Sequence, residues 1–429
     1  MRIAMFSDNF FPELSGISDS ISTLARQLAA RGHRIRFYVP RYARRDHERL
    51  GLPFTEIDLG ESIEVIRLAS VRYPTGTKQG RMVLPTGVRW CHLRGFHPDV
   101  IHVHLPFAVG LEGLLAARML GTPLMGTNHT PITEFLRYSP FRGVRCGRLA
   151  ARYTAWYYNQ CQFVSSPSRS ILEEMGQFRF RVRHRVISNP IRLEVFFPFA
   201  SKHLLKKKFG FSDLTILYAG RLAPEKRVDL IVRAVASLAS EDPATSLVLL
   251  GRGSAEDDLK SLCRSLGVEG RVKFLGFIPN LTTVAEIYNA SDLFVIASTA
   301  ETQSIAAMHA MACGLPVVGV RAWGLAEYIT PTNGILVDPG DGQALRQALG
   351  YLSTHPDLRL ELGKGGQKSV APFSPASIAG EWEDLYQKVL EEFHHRGDAH
   401  GRLRGRVRTA ADLPFRETND RPSHSTGVR

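Results

Sequence analysis

The feature that most constrains this chain is a pattern that recurs in two separate series: a short apolar run, a polar turn, then an amphipathic stretch. The first series opens with the apolar run Arg2 to Ser7, the loop DNFFPELSG, and a stretch from about Asp19 to Arg31 where Ile21, Leu24, Ala25 and Leu28 recur at helical spacing. Gly32 stops that helix, and a strand from Arg34 to Val39 follows. Strand, helix and strand in succession are the unit of a parallel, doubly wound sheet. PDVIHVHLP (98–106) and PLMGTNHTP (123–131) read as further strands, separated by the helix GLEGLLAARMLG, and VISNPI (186–191) closes the series. After Lys206 to Lys208 a second series starts at Leu214 and repeats the alternation to GILVDPGD. The expectation is an α/β fold of two facing Rossmann-like domains with parallel sheets and a cleft between them, which is the default place for a ligand. The boundaries read as 1–192 and 200–372. A helix over 373–396 is expected to pack back toward the first domain, and an Arg-rich, aperiodic tail over 397–429 to be disordered.

At 429 residues the chain is too long for one ordinary core, which agrees with two domains. No stretch reaches the roughly 18 to 20 apolar residues of a membrane span, and the N-terminus reads as a first strand, so a cytoplasmic protein is expected. The net charge of +13 is uneven: residues 1–200 carry 27 Lys/Arg against 15 Asp/Glu, and residues 201–396 carry 20 against 22. A basic first half suggests contact with an acidic surface, either anionic membrane or nucleic acid. No nucleic-acid module organises those charges, so nucleic acid is not expected as a partner. Cys91, Cys146, Cys161, Cys263 and Cys313 are odd in number and scattered, which implies neither a disulfide framework nor a zinc site. The first strand lacks a following GxGxxG, which argues against a dinucleotide dehydrogenase.

Six places carry candidate chemistry. Gly16, in the first strand-to-helix loop, lets backbone approach a ligand. His129 lies at a strand's C-terminal end, where open α/β sheets bind ligands, although a loop histidine is often merely solvated. His102 and His104 share one face of a strand, which permits a metal pair; packing is the preferred reading, because no third ligand has suitable spacing. In the second series, Gly220-Arg221 and Lys226 place a planar fork and a point charge after a strand, where a diphosphate could dock. Gly251 and Gly253 form a loop that could pass a nucleobase. Glu301, Thr302, Gln303 and Ser304 stand where a strand ends and a helix begins. A carboxylate there suits sugar hydroxyls, and it equally suits a helix macrodipole. Two further segments mix arginine with aromatic residues. One is Phe135 to Cys161; the other is Phe178 to Val186, where strand-like alternation would line four guanidinium groups on one side. Either could dock on lipid or simply belong to the first domain.

GRLAPEKRVDLI, ETQSIAAMHAMACGLPVV and GILVDPGD, in this order, resemble the retaining nucleotide-sugar glycosyltransferases of the two-Rossmann-domain (GT-B) architecture, family 4 type, a group that includes glycogen and sucrose-phosphate synthases. MRIAMFSDNFFPELSGIS and GTNHTP look most like its bacterial lipid glucosyl- and mannosyltransferases. The resemblance implies hexose transfer with retention, from a UDP- or GDP-hexose to a lipid or glycan hydroxyl such as that of diacylglycerol or phosphatidylinositol; no cofactor is expected, and no bound metal, because the chain has no Asp-x-Asp motif and already supplies two cations for the diphosphate. It implies that the first domain takes the acceptor and that the enzyme is peripheral on the inner face of the membrane. It gives Arg221 and Lys226 the donor diphosphate, Glu301 the donor sugar, and His129 a place beside the reacting sugar, with Gly16 the matching loop glycine. The family's second motif glutamate, which takes the ribose hydroxyls, falls at His309. That departure leaves room for weaker donor binding, for recognition of a phosphate by a protonated imidazole, or for a binding protein without catalysis.

Overall fold

The computed structural model describes residues 1–13, 15–48, 52–72, 80–84, 90–133 and 144–409. The first sheet contains β1 (Arg2–Phe6), β2 (Arg34–Pro40), β3 (Ile63–Leu68), β6 (Val100–Val103), β7 (Leu124–Thr127), β8 (Phe163–Ser166) and β9 (His184–Val186). Its order is β3-β2-β1-β6-β7-β8-β9 and every pairing is parallel. A small antiparallel ribbon, β4 (Ser70–Arg72) with β5 (Arg81–Val83), lies outside it. The second sheet contains β10 (Leu214–Ala219), β11 (Thr245–Leu250), β12 (Val272–Gly276), β13 (Leu293–Ile296), β14 (Val317–Val320) and β15 (Gly334–Val337), again all parallel, in the order β12-β11-β10-β13-β14-β15. In both sheets the strand order reverses beside the first strand of the series. Crevices at the carboxyl ends of β1 and β10 follow from that topology.

The central strands are buried along their whole length, and the flanking helices cover both faces. This is why the strands read as continuous apolar runs and not as alternating ones. The helix Pro375–Thr409 leaves the second domain and inserts Ile378, Ala379, Trp382, Leu385, Tyr386 and Val389 into the core beneath β1 and β2. Burial of this size contributes roughly 2 kcal/mol per large side chain. The helix continues to Thr409, past the expected break at 397; extending a nucleated helix adds a hydrogen bond for each residue fixed. Residues 410–429 lie outside the described residues.

Two other expectations change. The first helix begins a turn earlier than its periodicity suggests, at Gly16, because Ser15 caps it by accepting from the Ser18 N–H at 3.2 Å. Phe178 to Val186 is not one strand; β9 spans His184–Val186, and Arg179 has a φ of 62°. Arg183 and Arg185 pair with Glu392 and Glu381 of the C-terminal helix, so this edge holds the helix and offers no row of free cations.

Candidate functional site

At the carboxyl end of β10 the chain turns through Gly220 (φ 149°) and Arg221 into the short helical turn Pro224–Lys226. The neighbouring loop after β11 zips onto it: the Gly220 N–H donates to the Leu250 carbonyl at 2.9 Å and the Leu222 N–H to the Arg252 carbonyl at 3.0 Å. A Cβ on Gly251 would fall 2.0 Å from the Gly220 carbonyl oxygen, and one on Gly253 would fall 2.1 Å from that of Leu222. These two glycines are required by contact between loops, a reason different from the ligand approach suggested by the sequence.

Lys226 and Glu301 come from loops 75 residues apart and meet at 2.5 Å, with 16% and 13% of their side chains exposed. Burial pushes the Glu301 carboxyl up, but the Lys226 ammonium, aided by Ser298 and Arg221, outweighs it and holds the group below its ordinary value. Arg221 contacts Glu225 at 3.2 Å. Each cation therefore has a carboxylate beside it, so an entering diphosphate would share these cations with Glu225 and Glu301. Ser304 caps the helix Ile305–Ala312 by accepting from the Ala307 N–H at 3.3 Å, while Thr302 sets its carbonyl against Gly324. Gln303 is committed to the other domain: its Oε1 accepts from the Asn189 N–H at 2.8 Å and its Nε2 donates to Ser188 Oγ at 2.7 Å. Its side chain ties the domains together at their junction.

Across the cleft, Gly16 is the first residue of its helix and not a loop residue; a Cβ there would come within 3.3 Å of Ile305 Cδ1, so the close approach it permits is between domains. His129 lies just beyond β7, buried, with its Nε2 3.3 Å from His104 Nδ1. Burial pushes His129 down to about 3, so its imidazole is neutral. His102 is held through both ring nitrogens, by Tyr386 at 2.7 Å and Thr127 at 2.8 Å, in agreement with the packing reading. No group of His, Cys, Asp or Glu among the described residues has the geometry of a metal site.

His309 stacks on Phe196, with ring centroids 3.6 Å apart and 7° between planes, and meets Tyr288 edge-on. Burial, with Arg192 as a smaller contributor, pushes it down to about 3, and its Nε2 is buried without a hydrogen-bond partner. Charging this ring without a partner would place an uncompensated cation in an aromatic pocket, and the stack on Phe196 agrees with a packing role.

Two acidic residues escaped the sequence reading. Asp8 accepts from the Val109 and Gly110 N–H groups at 2.7 and 3.2 Å, and Glu13 accepts from Tyr42 Oη at 3.0 Å. Burial pushes both up to about 7, with Tyr42 and then Arg221 of the second domain opposing it at Glu13. Their signal was present in the loop DNFFPELSG, where two carboxylates follow the strand that borders the crevice.

The family described as Glycosyltransferase Family 4 matches residues 14–195, and that described as Glycosyl transferases group 1 matches residues 202–369. The chain is similar to the alpha-monoglucosyldiacylglycerol synthase of Acholeplasma laidlawii, with 25% identity covering 91% of this chain and 98% of the relative. It is also similar to a GDP-mannose-dependent alpha-mannosyltransferase of Mycolicibacterium smegmatis, with 28% identity and coverage of 91% and 98%. Among solved structures, sucrose-phosphate synthase from Thermosynechococcus elongatus superimposes with a TM-score of 0.75 at 20% identity, covering 91% of this chain and 99% of that one. The Anabaena HepE protein solved with UDP gives a TM-score of 0.72 at 20% identity, covering 90% and 100%.

Proposed function

We propose, from the premise that this chain belongs to the group 1 and family 4 glycosyltransferases and is a hexosyltransferase of GT-B architecture, that it moves glucose or mannose from a UDP- or GDP-sugar to a hydroxyl of a membrane lipid. The observation that carries the reading is the Lys226–Glu301 pair beside Arg221 at the carboxyl end of β10. In it, Arg221 and Lys226 stabilise the charge that develops on the departing diphosphate, and Glu301 accepts hydrogen bonds from the donor sugar. The backbone of 302–304 and the N-terminus of the helix Ile305–Ala312 lie beside that donor, with Gly220, Gly251 and Gly253 shaping the loops around it. Neutral His129 approaches the sugar from the first domain. The acceptor hydroxyl attacks from the face that the diphosphate leaves, and the product keeps the anomeric configuration. His309 supports the helix from behind through its stack on Phe196.

The lipid acceptor is supported by a surface of the first domain. On the helix Val144–Tyr158, Arg145, Arg148, Leu149, Arg152 and Trp156 fall at successive helical turns on one exposed face, with Leu149 70% and Trp156 49% exposed. Arg118, next to the 54% exposed Met119, donates to Gln160, just beyond this helix, at 2.6 Å. Tyr157 and Tyr158 of the same segment are core residues, and residues 134–143 of the expected surface lie outside the described residues. No described helix is long and apolar enough to cross a membrane. An arginine and tryptophan face of this kind suits docking on anionic lipid. A thermal-shift panel of nucleotide sugars tests the donor half: one UDP- or GDP-hexose should raise the melting temperature in wild type and fail to do so in Arg221→Ala. Equal response of both proteins to every donor would refute it.

A further inference from the structure

The helix Arg169–Gly176, directly after β8, has Ser168 at its N-cap, but that side chain does not cap its own helix. The capping group comes from the other domain. Glu327, in the one-turn helix Leu325–Tyr328 after β14, takes Ser168 Oγ at 3.0 Å on Oε1, the Arg169 N–H at 2.8 Å on Oε2, and the Ser170 N–H at 2.8 Å on Oε1, and Ser170 Oγ also donates to it. Tyr328 adds a hydrogen bond to the Pro167 carbonyl. A carboxylate at a helix N-terminus is favoured by both the free N–H groups and the macrodipole.

The other end of that segment is fixed to the candidate donor site. The Gly324 N–H donates to the Glu301 carbonyl at 3.0 Å, and a Cβ on Gly324 would lie 1.6 Å from the Thr302 carbonyl oxygen. Trp323 takes a left-handed φ of 44° to make this turn. The Glu327 N–H then donates to the Gly324 carbonyl at 3.0 Å. The segment 323–328 thus runs from the backbone of Glu301 and Thr302 to a helix of the first domain, and it is packed at both ends. Elsewhere the domains meet where Gln303 reaches Ser188 and Asn189 and where Gly16 packs against Ile305. Glu327 makes its contact away from the connecting segment 188–192, beyond the carboxyl ends of β8 and β14.

We propose that Glu327 is a positioning residue: its carboxylate latches the second domain onto the N-terminus of the helix Arg169–Gly176, and closing this latch sets the backbone of Glu301 and Thr302 for transfer. The proposal rests on the assignment of Glu301 to the donor sugar. Glu327 itself touches neither donor nor acceptor; its effect passes through the segment 323–328. Because Glu327 is exposed, closing the latch does not take its charge into a buried site. Completion of a site by closure is a common gate on turnover, and a displacement of about 1 Å can lower a rate about a hundredfold.

The test compares wild type, Glu327→Ala and Glu327→Gln by two readouts. Hydrogen exchange at the amides of Arg169 and Ser170, with small-angle scattering of the same samples, follows the latch without any substrate. Glu327→Ala should exchange faster at those two amides and give a larger radius of gyration, while Glu327→Gln, which keeps an acceptor oxygen, should lie between. Hexose transfer or donor hydrolysis should show kcat reduced about tenfold to a hundredfold in Glu327→Ala, with UDP or GDP affinity within about threefold of wild type. Unchanged exchange and unchanged dimensions would overturn the latch for any substrate. An opened protein with normal kcat would overturn the positioning role. A wild type inactive with every donor would instead refute the transferase reading, and the substrate-free readouts would still decide whether the latch exists.

Discussion

Replacing Lys226 with methionine should convert Glu301 from a stabilising group into a destabilising one at neutral pH, in a way that acid reverses. In the wild-type protein the Lys226 ammonium, 2.5 Å away, keeps Glu301 ionised and below its ordinary value despite burial. That contribution is fully present above the unfolded value of 4.5 and is lost as pH falls through the lower folded value. In Lys226→Met the burial of Glu301 is opposed only by Ser298 and the more distant Arg221, so its folded value rises above the unfolded one. The carboxylate then destabilises at pH 7, and the penalty disappears as the pH drops toward 5 and the group takes a proton. Breaking a buried pair costs about 3 to 5 kcal/mol, and residual exposure on both sides places this one at the low end, about 3 kcal/mol. For a domain of this size that corresponds to a melting temperature lowered by about 6 to 12 °C at pH 7. Melting curves of both proteins from pH 5 to 8 should converge on acidification. A constant offset across that range would refute the argument, because it would mean that the loss comes from packing and not from an orphaned carboxylate.

Arg221→Ala should lower kcat about a hundredfold, as expected for loss of one preorganised charge-stabilising group; a turnover within threefold of wild type would remove Arg221 from the chemistry. Three arginines on the Val144–Tyr158 helix should contribute about 1 kcal/mol each at an anionic surface, so the Arg145→Ala, Arg148→Ala, Arg152→Ala triple variant should bind phosphatidylglycerol vesicles about 150-fold more weakly. Co-sedimentation that ignores both the substitutions and salt would leave that face without a membrane role. His309 is neutral in the folded state and takes a proton once unfolded below about pH 6.5, so stability falls with acidification on its account. His309→Phe should reduce the dependence of unfolding free energy on pH by about 1.4 kcal/mol per unit between pH 6 and 4, measured by denaturant titration. An unchanged slope would mean that the ring is accessible to protons in the native state.

The alternation of apolar runs and amphipathic helices was enough to read both sheets, because strands buried on two faces leave little choice of residue. Lys226 and Glu301 were legible for a similar reason: each follows a strand at the cleft edge, and the topology brings those edges together. Gln303's position in the motif suggested a ligand, whereas the partners it has, Ser188 and Asn189, lie 115 and 114 residues away and leave no local trace. His309 was hidden in the same way; periodicity places it on a helix, but its stack on Phe196 depends on how the connecting segment folds back. Arg183 and Arg185 alternate as on an exposed strand, and their neutralisation by Glu392 and Glu381 appears only when the last helix crosses to the first domain. Glu327 carried no signal at all, since the amides it caps belong to the other domain.

The most direct test of the central claim is transfer itself. Purified protein is incubated with radiolabelled UDP-glucose or GDP-mannose and vesicles containing diacylglycerol or phosphatidylinositol, and the lipid phase is separated and counted. The account requires label in a glycosylated diacylglycerol or phosphoinositide recovered in the lipid phase with one donor, in the same anomeric configuration as that donor, and loss of that label in Glu301→Gln. Label confined to free hexose, a product of inverted configuration, or full activity in Glu301→Gln would contradict it.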